Sequence, residues 1–403
     1  MPGQRFLVQA SSRSWSGGLD HCMRPVNGKP AVYHTVVRIR EHFPSAAVTI
    51  VAPAFDEGGK LEEALRPLQD SAVRITYGHD GSPMLRMRDQ TAGMRDDEVV
   101  VRVDGLNLFF HVGAVREMLA QVASRKLDMM KLPDDYPPMY AAEVFRVHAL
   151  RRLADRLSAM GDTAAAPHHV HPRFLMMRLP GLRTAYLEPC PTYSDKELLE
   201  FRRAARTVYN VPREDVTGLR IPAGDQLSFH YEWALRHLRP DDRVLDIASG
   251  DGYGAALAAG RAASVVAADA DAEVVAQGAA RWGNVSNLSF RREEGTSLSL
   301  ADASFDCVLS METVEHVPQA ERFVAELARV TRPGGRLILS TPQSAMGSVP
   351  MNDQHVREYS LAQLRELLER HWRVEQLLGL KGGRIWFDDD PIGTNSLVLA
   401  RRA

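Results

Sequence analysis

Glu312, Glu315 and His316 stand at i, i+3 and i+4, the spacing that gathers side chains on one face of a helix. Two carboxylates and an imidazole converging there could hold a divalent cation, which would lower the pKa of a bound hydroxyl and clamp its oxygen. The polar run Asn352–Tyr359 follows on a later loop, and its His355 is placed to add a fourth ligand. Without a metal the same groups have plainer uses. His316 or His355 can act as a general base, Glu315 can brace the loop, and Glu358 and Tyr359 can position the fold.

These groups need a scaffold, and the chain supplies one just upstream. The apolar run Val244-Leu245-Asp246-Ile247 enters a small turn, Ala248-Ser249-Gly250-Asp251-Gly252, and an Ala-rich helix comes next. Gly250 and Gly252 can take backbone angles closed to other residues, and the exposed N–H groups of a helix start favour polar or anionic ligands. A second apolar strand, Ser264–Ala268, ends in Asp269, 23 residues after Asp246. An acid at that point accepts both hydroxyls of a ribose in doubly wound dinucleotide folds. Further runs follow at Phe290–Leu298, Ser304–Ser310 and Thr331–Ser340, with Glu294 after the strand that opens the first of them.

This succession resembles the class I S-adenosylmethionine-dependent methyltransferases over residues 225–403. The resemblance implies a Rossmann-like sheet that binds S-adenosylmethionine. Asp246, Ser249, Gly250 and Gly252 would hold the methionine part, Asp269 the ribose and Glu294 the adenine, with Met311 also on the cofactor. Ala248 and Ser249 stand where Gly and Cys are more usual in that family. His230 and Tyr231, on an expected helix Asp225–Leu238, lie where such enzymes often cover the cofactor. The Glu-x-x-Glu-His pattern is similar to that of metal-dependent O-methyltransferases acting on ubiquinone precursors and on RNA 3′ ends. It implies Mg²⁺ or Mn²⁺ on Glu312, Glu315, His316 and His355, and the catalytic role falls to His316, His355 and Glu312. The Asn352–Tyr359 loop resembles one in methyltransferases of bacterial cell-surface glycans.

Residues 5–160 alternate strand-like and helix-like segments at the spacing that builds a parallel sheet with crossover helices, so the first half reads as a second α/β domain. Phe6-Leu7-Val8-Gln9-Ala10, the Arg24–Pro30 segment, Leu85-Arg86, Arg102-Val103-Asp104-Gly105 and Ala142–Phe145 resemble the cytidylyltransferases that activate acidic sugars and related spore-coat polysaccharide proteins. That resemblance implies a nucleotidyltransferase-like sheet over 1–195, with a basic Gly-rich loop for a triphosphate and carboxylates for magnesium. Both features depart from the family. The Ser11–His21 loop keeps Arg13, Gly17 and Gly18, but Asp20 and His21 stand where a phosphate-binding Lys is expected, and Leu106 replaces the metal-binding Asp. A degenerate domain follows, one that binds a nucleotide-linked substrate or a partner. Residues 196–224 read as a linker, and Asp162–His171 as an exposed loop.

The 403 residues suffice for two full cores. A net charge of −2 and the lack of an aromatic-basic platform argue against nucleic acid. Three widely spaced cysteines argue against a disulfide framework. With no signal-peptide core and no apolar stretch of membrane-spanning length, the expected address is the cytoplasm without membrane insertion. The expected function is O-methylation of a small-molecule acceptor, a sugar, a nucleotide-sugar or another small polar metabolite, in glycan or natural-product assembly. A bifunctional enzyme that also makes a CMP-activated sugar, and a non-catalytic cofactor-binding scaffold, remain alternatives. Oligomeric state is not legible.

Overall fold

The computed structural model describes residues 4–14, 18–136, 138–208, 226–344, 350, 352 and 354–403. The chain divides into two compact units, Met1–Asn210 and Val211–Ala403.

The strands of the first unit are β1 (Arg5–Gln9), the short antiparallel pair β2 (Pro25–Val26) and β3 (Lys29–Pro30), β4 (Ala47–Pro53), β5 (Val73–Gly78), β6 (Val99–Asp104), β7 (Met129–Lys131), β8 (Glu143–Arg146) and β9 (Thr184–Tyr186). Seven of them form one sheet in the order β5-β4-β1-β6-β8-β7-β9. The first four of that order are parallel, as the alternating pattern predicts. The sheet is nevertheless mixed, because β8 runs antiparallel to both β6 and β7. That reversal turns the start of β8 toward the end of β6, so Glu143 pairs with Arg102 across the ladder.

Two expectations fail in this unit. Asp162–Val170 is a helix with His168 buried, and not a loop. Its run of alanines has high helix propensity, which outweighs the Pro167 inside it. The segment read as a linker begins with a helix, Asp195–Val208. Leu198 and Phe201 lie three residues apart on one face, Leu198 is buried, and the Phe201 ring packs on Phe109, Tyr140 and Tyr193 at centroid distances of 4.6–5.2 Å. The remainder of the linker, 209–224, lies outside the described residues, as do Gly17 and Asp353.

The second unit contains β10 (Arg243–Ile247), β11 (Ser264–Asp269), β12 (Leu288–Arg292), β13 (Phe305–Met311), β14 (Thr331–Pro342), β15 (Trp372–Leu380) and β16 (Asn395–Arg402). Their order is β12-β11-β10-β13-β14-β16-β15, with the first five parallel and β16 antiparallel to its neighbours. Strand alternation divides the apolar residues between the two faces. Leu245, Ile247, Val308, Leu337 and Leu339 pack under the helices Ala320–Val330 and Leu361–Leu368. Val244, Cys307, Leu309 and Ile338 pack on the other side with Trp233 and the helix Tyr253–Ala259. With both faces covered, the open edge for a ligand is the carboxyl end of the strands. There β11 and β13 diverge from β10, and the order reverses. Among the described residues no helix is long and apolar enough to cross a membrane.

Candidate functional site

The turn after β10 is built from left-handed residues. Ala248, Gly250 and Gly252 have φ of 55°, 56° and 79°. At Gly252 a side chain is excluded outright, because a Cβ would lie 2.5 Å from the Phe290 ring. At Gly254, the second residue of the next helix, a Cβ would lie 1.9 Å from the ring of Tyr231. The absence of these side chains lets Tyr231 lie against the helix start and reach Asp246, to whose two carboxylate oxygens its hydroxyl is 3.2 Å away.

Asp269 closes the turn from the neighbouring strand. One of its oxygens accepts the Gly250 N–H and the other the Asp271 N–H, each at 3.0 Å. Each carboxylate oxygen can accept more than one bond, so capacity for ribose hydroxyls remains. Beyond the turn opens a cavity of about 610 Å³ whose wall includes Gly250, Asp269, Glu294, Glu312 and His316. Asp246, Ser249, Gly252 and Met311 are absent from that wall and support it from behind. Asp246 is fully buried, and Met311 packs in the apolar layer with Leu309. Phe323, Thr313, Glu293 and Gln354 also line the wall, and none of the four was singled out by the sequence as a site residue.

The helical face expected for Glu312, Glu315 and His316 does not form. β13 ends at Met311, Glu312 takes a positive φ of 48°, and only Val314–His316 makes a short 3₁₀ turn. A bulky residue in the left-handed region is strained by about 1–3 kcal/mol. That break sends Glu312 and Glu315 in different directions. The ligand atoms of Glu315, His316 and His355 lie within 4.8 Å of one another, and Glu312 is not part of this group. Glu312 turns instead to Asn395, whose amide donates to its Oε2 at 2.8 Å, and to the buried His230, whose Nδ1 is 3.3 Å from its Oε1. His230 Nδ1 also lies 2.9 Å from Ser340 Oγ.

The three-residue group has the chemistry of a cation site. His316 Nδ1 donates to the Gln354 carbonyl at 3.0 Å, which places the ring lone pair on Nε2, 3.8 Å from Glu315 Oε1. His355 Nδ1 is 2.8 Å from the Glu358 carboxylate, the outer partner that orients a metal-binding imidazole. Glu315 is 1% exposed; Thr341 donates to its Oε2, while its Oε1 is buried without a hydrogen bond. Burial first, and the charge of Glu312 second, hold the Glu315 carboxyl well above the usual carboxylate range.

In the first unit Asp104, on the strand that precedes Leu106, and Glu143, on the adjacent β8, are already paired. Arg102, 2% exposed, bonds Glu143 at 2.7 Å, Asp104 at 2.6 Å and Gln9 at 3.0 Å. Arg173 stands 3.6 Å from Asp104 and 3.5 Å from Glu143. Leu106 packs against the cluster of Val26, Ala31, Leu108 and Met139. Asp20 caps the turn His21–Met23 by accepting the Cys22 N–H at 2.9 Å, and burial raises its pKa.

Residues 245–339 match the methyltransferase domain family. A probable S-adenosylmethionine-dependent methyltransferase of Mycolicibacterium smegmatis is 39% identical over 154 residues, 37% of this chain and 59% of that protein. A demethylmenaquinone methyltransferase of Beutenbergia cavernae is 40% identical over 107 residues, 26% of this chain and 43% of that protein. The chain thus spans 59% and 43% of the length of these curated relatives, less than two thirds of either. A methyltransferase structure from Aquifex aeolicus covers 48% of this chain and all of its own length at 19% identity and a TM-score of 0.39. The second unit carries a class I S-adenosylmethionine-dependent methyltransferase domain.

The buried Asp246 yields a prediction about stability. Burial pushes its pKa up to about 7, against the opposing Tyr231 hydrogen bond and with a smaller contribution from the charge of Asp269. The folded protein therefore holds this proton to a higher pH than the unfolded chain. The resulting stabilisation is full below the unfolded carboxylate range, about 4, and is lost as pH rises through about 7. Urea unfolding of the ligand-free protein between about pH 5.5 and about pH 8 should show a loss larger by up to about 2 kcal/mol than in Asp246→Asn. Identical pH dependence in the two proteins would refute the assignment.

Proposed function

We propose that the protein transfers a methyl group from S-adenosylmethionine to a hydroxyl of a sugar or another small polar metabolite. The carrying observation is the strained turn at Ala248–Gly252 tied to Asp269 beside a cavity of about 610 Å³. Gly250 and Asp269 would hold the methionine and ribose parts, and Glu294, an exposed acid on the same wall, would face the base. The sulfonium supplies an activated methyl group. The chain's own task is then to orient the acceptor, exclude water and take up a proton. The polar wall of Glu312, Thr313, His316 and Gln354 favours a hydroxylated acceptor over an apolar one. If Asp269 binds the ribose, Asp269→Ala should weaken S-adenosylmethionine binding by at least about tenfold in calorimetry, the loss of one to two charge-assisted bonds. Equal affinity in both proteins counts against this placement.

Glu315, His316 and His355 are proposed to hold a divalent cation that would polarise the acceptor oxygen. Two imidazoles with one carboxylate suit Mn²⁺ better than Mg²⁺, which prefers oxygen ligands and retained water. Chelated protein titrated with manganese alone, followed by electron paramagnetic resonance, should take up one ion, and Glu315→Gln and His355→Ala should each weaken uptake by about tenfold or more. Uptake indifferent to both changes would assign the cluster a structural role.

For the first unit we propose a degenerate nucleotidyltransferase-like domain that binds a nucleotide-linked ligand without turning it over. Arg102 and Arg173 supply in fixed form the positive charge that magnesium would otherwise bring to Asp104 and Glu143. Incubation of CTP and magnesium with a 2-keto-3-deoxy sugar acid should release no pyrophosphate above a protein-free control. Release would restore the bifunctional reading.

A further inference from the structure

Two polar groups flank the strained backbone after β13, and the structure parts Glu312 from the cation-type group that the sequence pattern joined it to. The other joins Glu312 to His230, Ser340 and Asn395. These residues come from four separate parts of the second unit: the loop after β13, the helix Gln226–Ala234, β14 and β16. Resting on the reading that the cavity takes S-adenosylmethionine, we propose that Glu312 accepts the proton of the acceptor hydroxyl and that His230 is the positioning residue behind it.

The geometry gives Glu312 a fixed direction. Its amide N–H donates to Ser340, 3.0 Å to the carbonyl and 3.2 Å to Oγ, which pins the backbone in its left-handed conformation. Its Oε2 is anchored by Asn395 at 2.8 Å. A quarter of its side-chain surface stays open, and the residue lines the cavity together with Ile247 and Gly250. Its Oε1 is withdrawn from solvent, without a well-aligned hydrogen bond, 3.3 Å from His230 Nδ1. One imidazole N–H therefore faces two acceptors, Ser340 Oγ at 2.9 Å and Glu312 Oε1 at 3.3 Å. It can lean toward the carboxylate while that group is charged and toward the serine once it is protonated.

The alternatives are less well placed. His355 does not line the cavity, and His316, which does, presents its Nε2 toward Glu315 within the Glu315, His316 and His355 group. In the proposed step the acceptor oxygen forms a bond to the methyl carbon while its O–H bond breaks. The C–S electron pair returns to sulfur, which becomes a neutral thioether, and the proton passes to the Glu312 carboxylate. Atoms and charge balance with no further reactant.

If the methyl group lies beside Glu312 on the cavity wall, the carboxylate should be readable by ligands that cannot react. S-adenosylhomocysteine lacks the methyl group, and sinefungin carries an amine on carbon there, cationic when protonated, with the same nucleoside and amino-acid ends. In calorimetry on the full chain, the wild type should prefer sinefungin by about tenfold, the worth of one charge-assisted contact. Glu312→Gln should abolish the preference while S-adenosylhomocysteine is still measurably bound. His230→Ala should reduce the preference, and His230→Asn, which keeps an N–H near the place of Nδ1, should restore most of it. A merely structural His230 would leave the preference untouched. Equal preference in wild type and Glu312→Gln overturns the assignment of Glu312. Loss in Glu312→Gln but not in His230→Ala overturns that of His230. Failure of S-adenosylhomocysteine itself to bind the wild type would remove the cofactor reading, and the proposal with it.

Discussion

The carboxylate of Asp269 is the contact on which the second unit's site depends. Backbone N–H groups in a left-handed turn have no helix or sheet partners of their own, and leaving one buried and unpaired is expensive. Asp269 satisfies Gly250 with one oxygen and starts the following chain segment through Asp271 with the other. A single side chain thus ties the ends of two adjacent parallel strands into one rim. Phe290 and Tyr231 fill the space that side chains at Gly252 and Gly254 would need, so the rim is tight on its inner side and open only toward the cavity.

The opposite rim is held by a different constraint. At the end of β13 the chain could continue into a regular helix and place Glu312, Glu315 and His316 side by side. It breaks at once, with Glu312 in a conformation that side chains resist. The Ser340 carbonyl and hydroxyl hold it there. The consequence is a division of labour within the stretch 312–316: Glu315 and His316 turn toward His355, while Glu312 turns toward His230 and Asn395. The two carboxylates remain close enough for the charge of Glu312 to raise the pKa of Glu315. A cation held by Glu315 would relieve that conflict, and so the two groups are coupled even though they share no ligand.

Legibility followed the range of the interactions. The β10 strand, its small-residue turn and the acid ending β11 are local patterns, and each sits in the sequence as it sits in space. Periodicity failed at Glu312 because a spacing of three and four residues means one face only when the backbone is helical, and nothing local announces a positive φ on a glutamate. Asn395 joins the site from the last strand, 83 residues away, and a contact of that range leaves no trace in a window of sequence. The helix Asp195–Val208 was obscured by its charged composition, although Leu198 and Phe201 carry the apolar spacing that docks it.

The first unit shows the same limit in another form. Reading along β6, the departure from the cytidylyltransferase pattern is the single residue Leu106, two places beyond Asp104. In three dimensions the carboxylates Asp104 and Glu143 are paired with arginines. Arg102 lies on the same face of β6 as Asp104, the antiparallel β8 brings Glu143 opposite it, and Arg173 arrives from a helix some seventy residues on. Buried guanidinium pairs are favourable only when every partner is in place, since removing one leaves an uncompensated charge. Such a network resists gradual exchange for a metal: a cation drawn to Asp104 and Glu143 would have to displace Arg102 and Arg173, each already bonded or packed. The pairing of the two arginines with Asp104 and Glu143 is legible only once the strands are laid side by side.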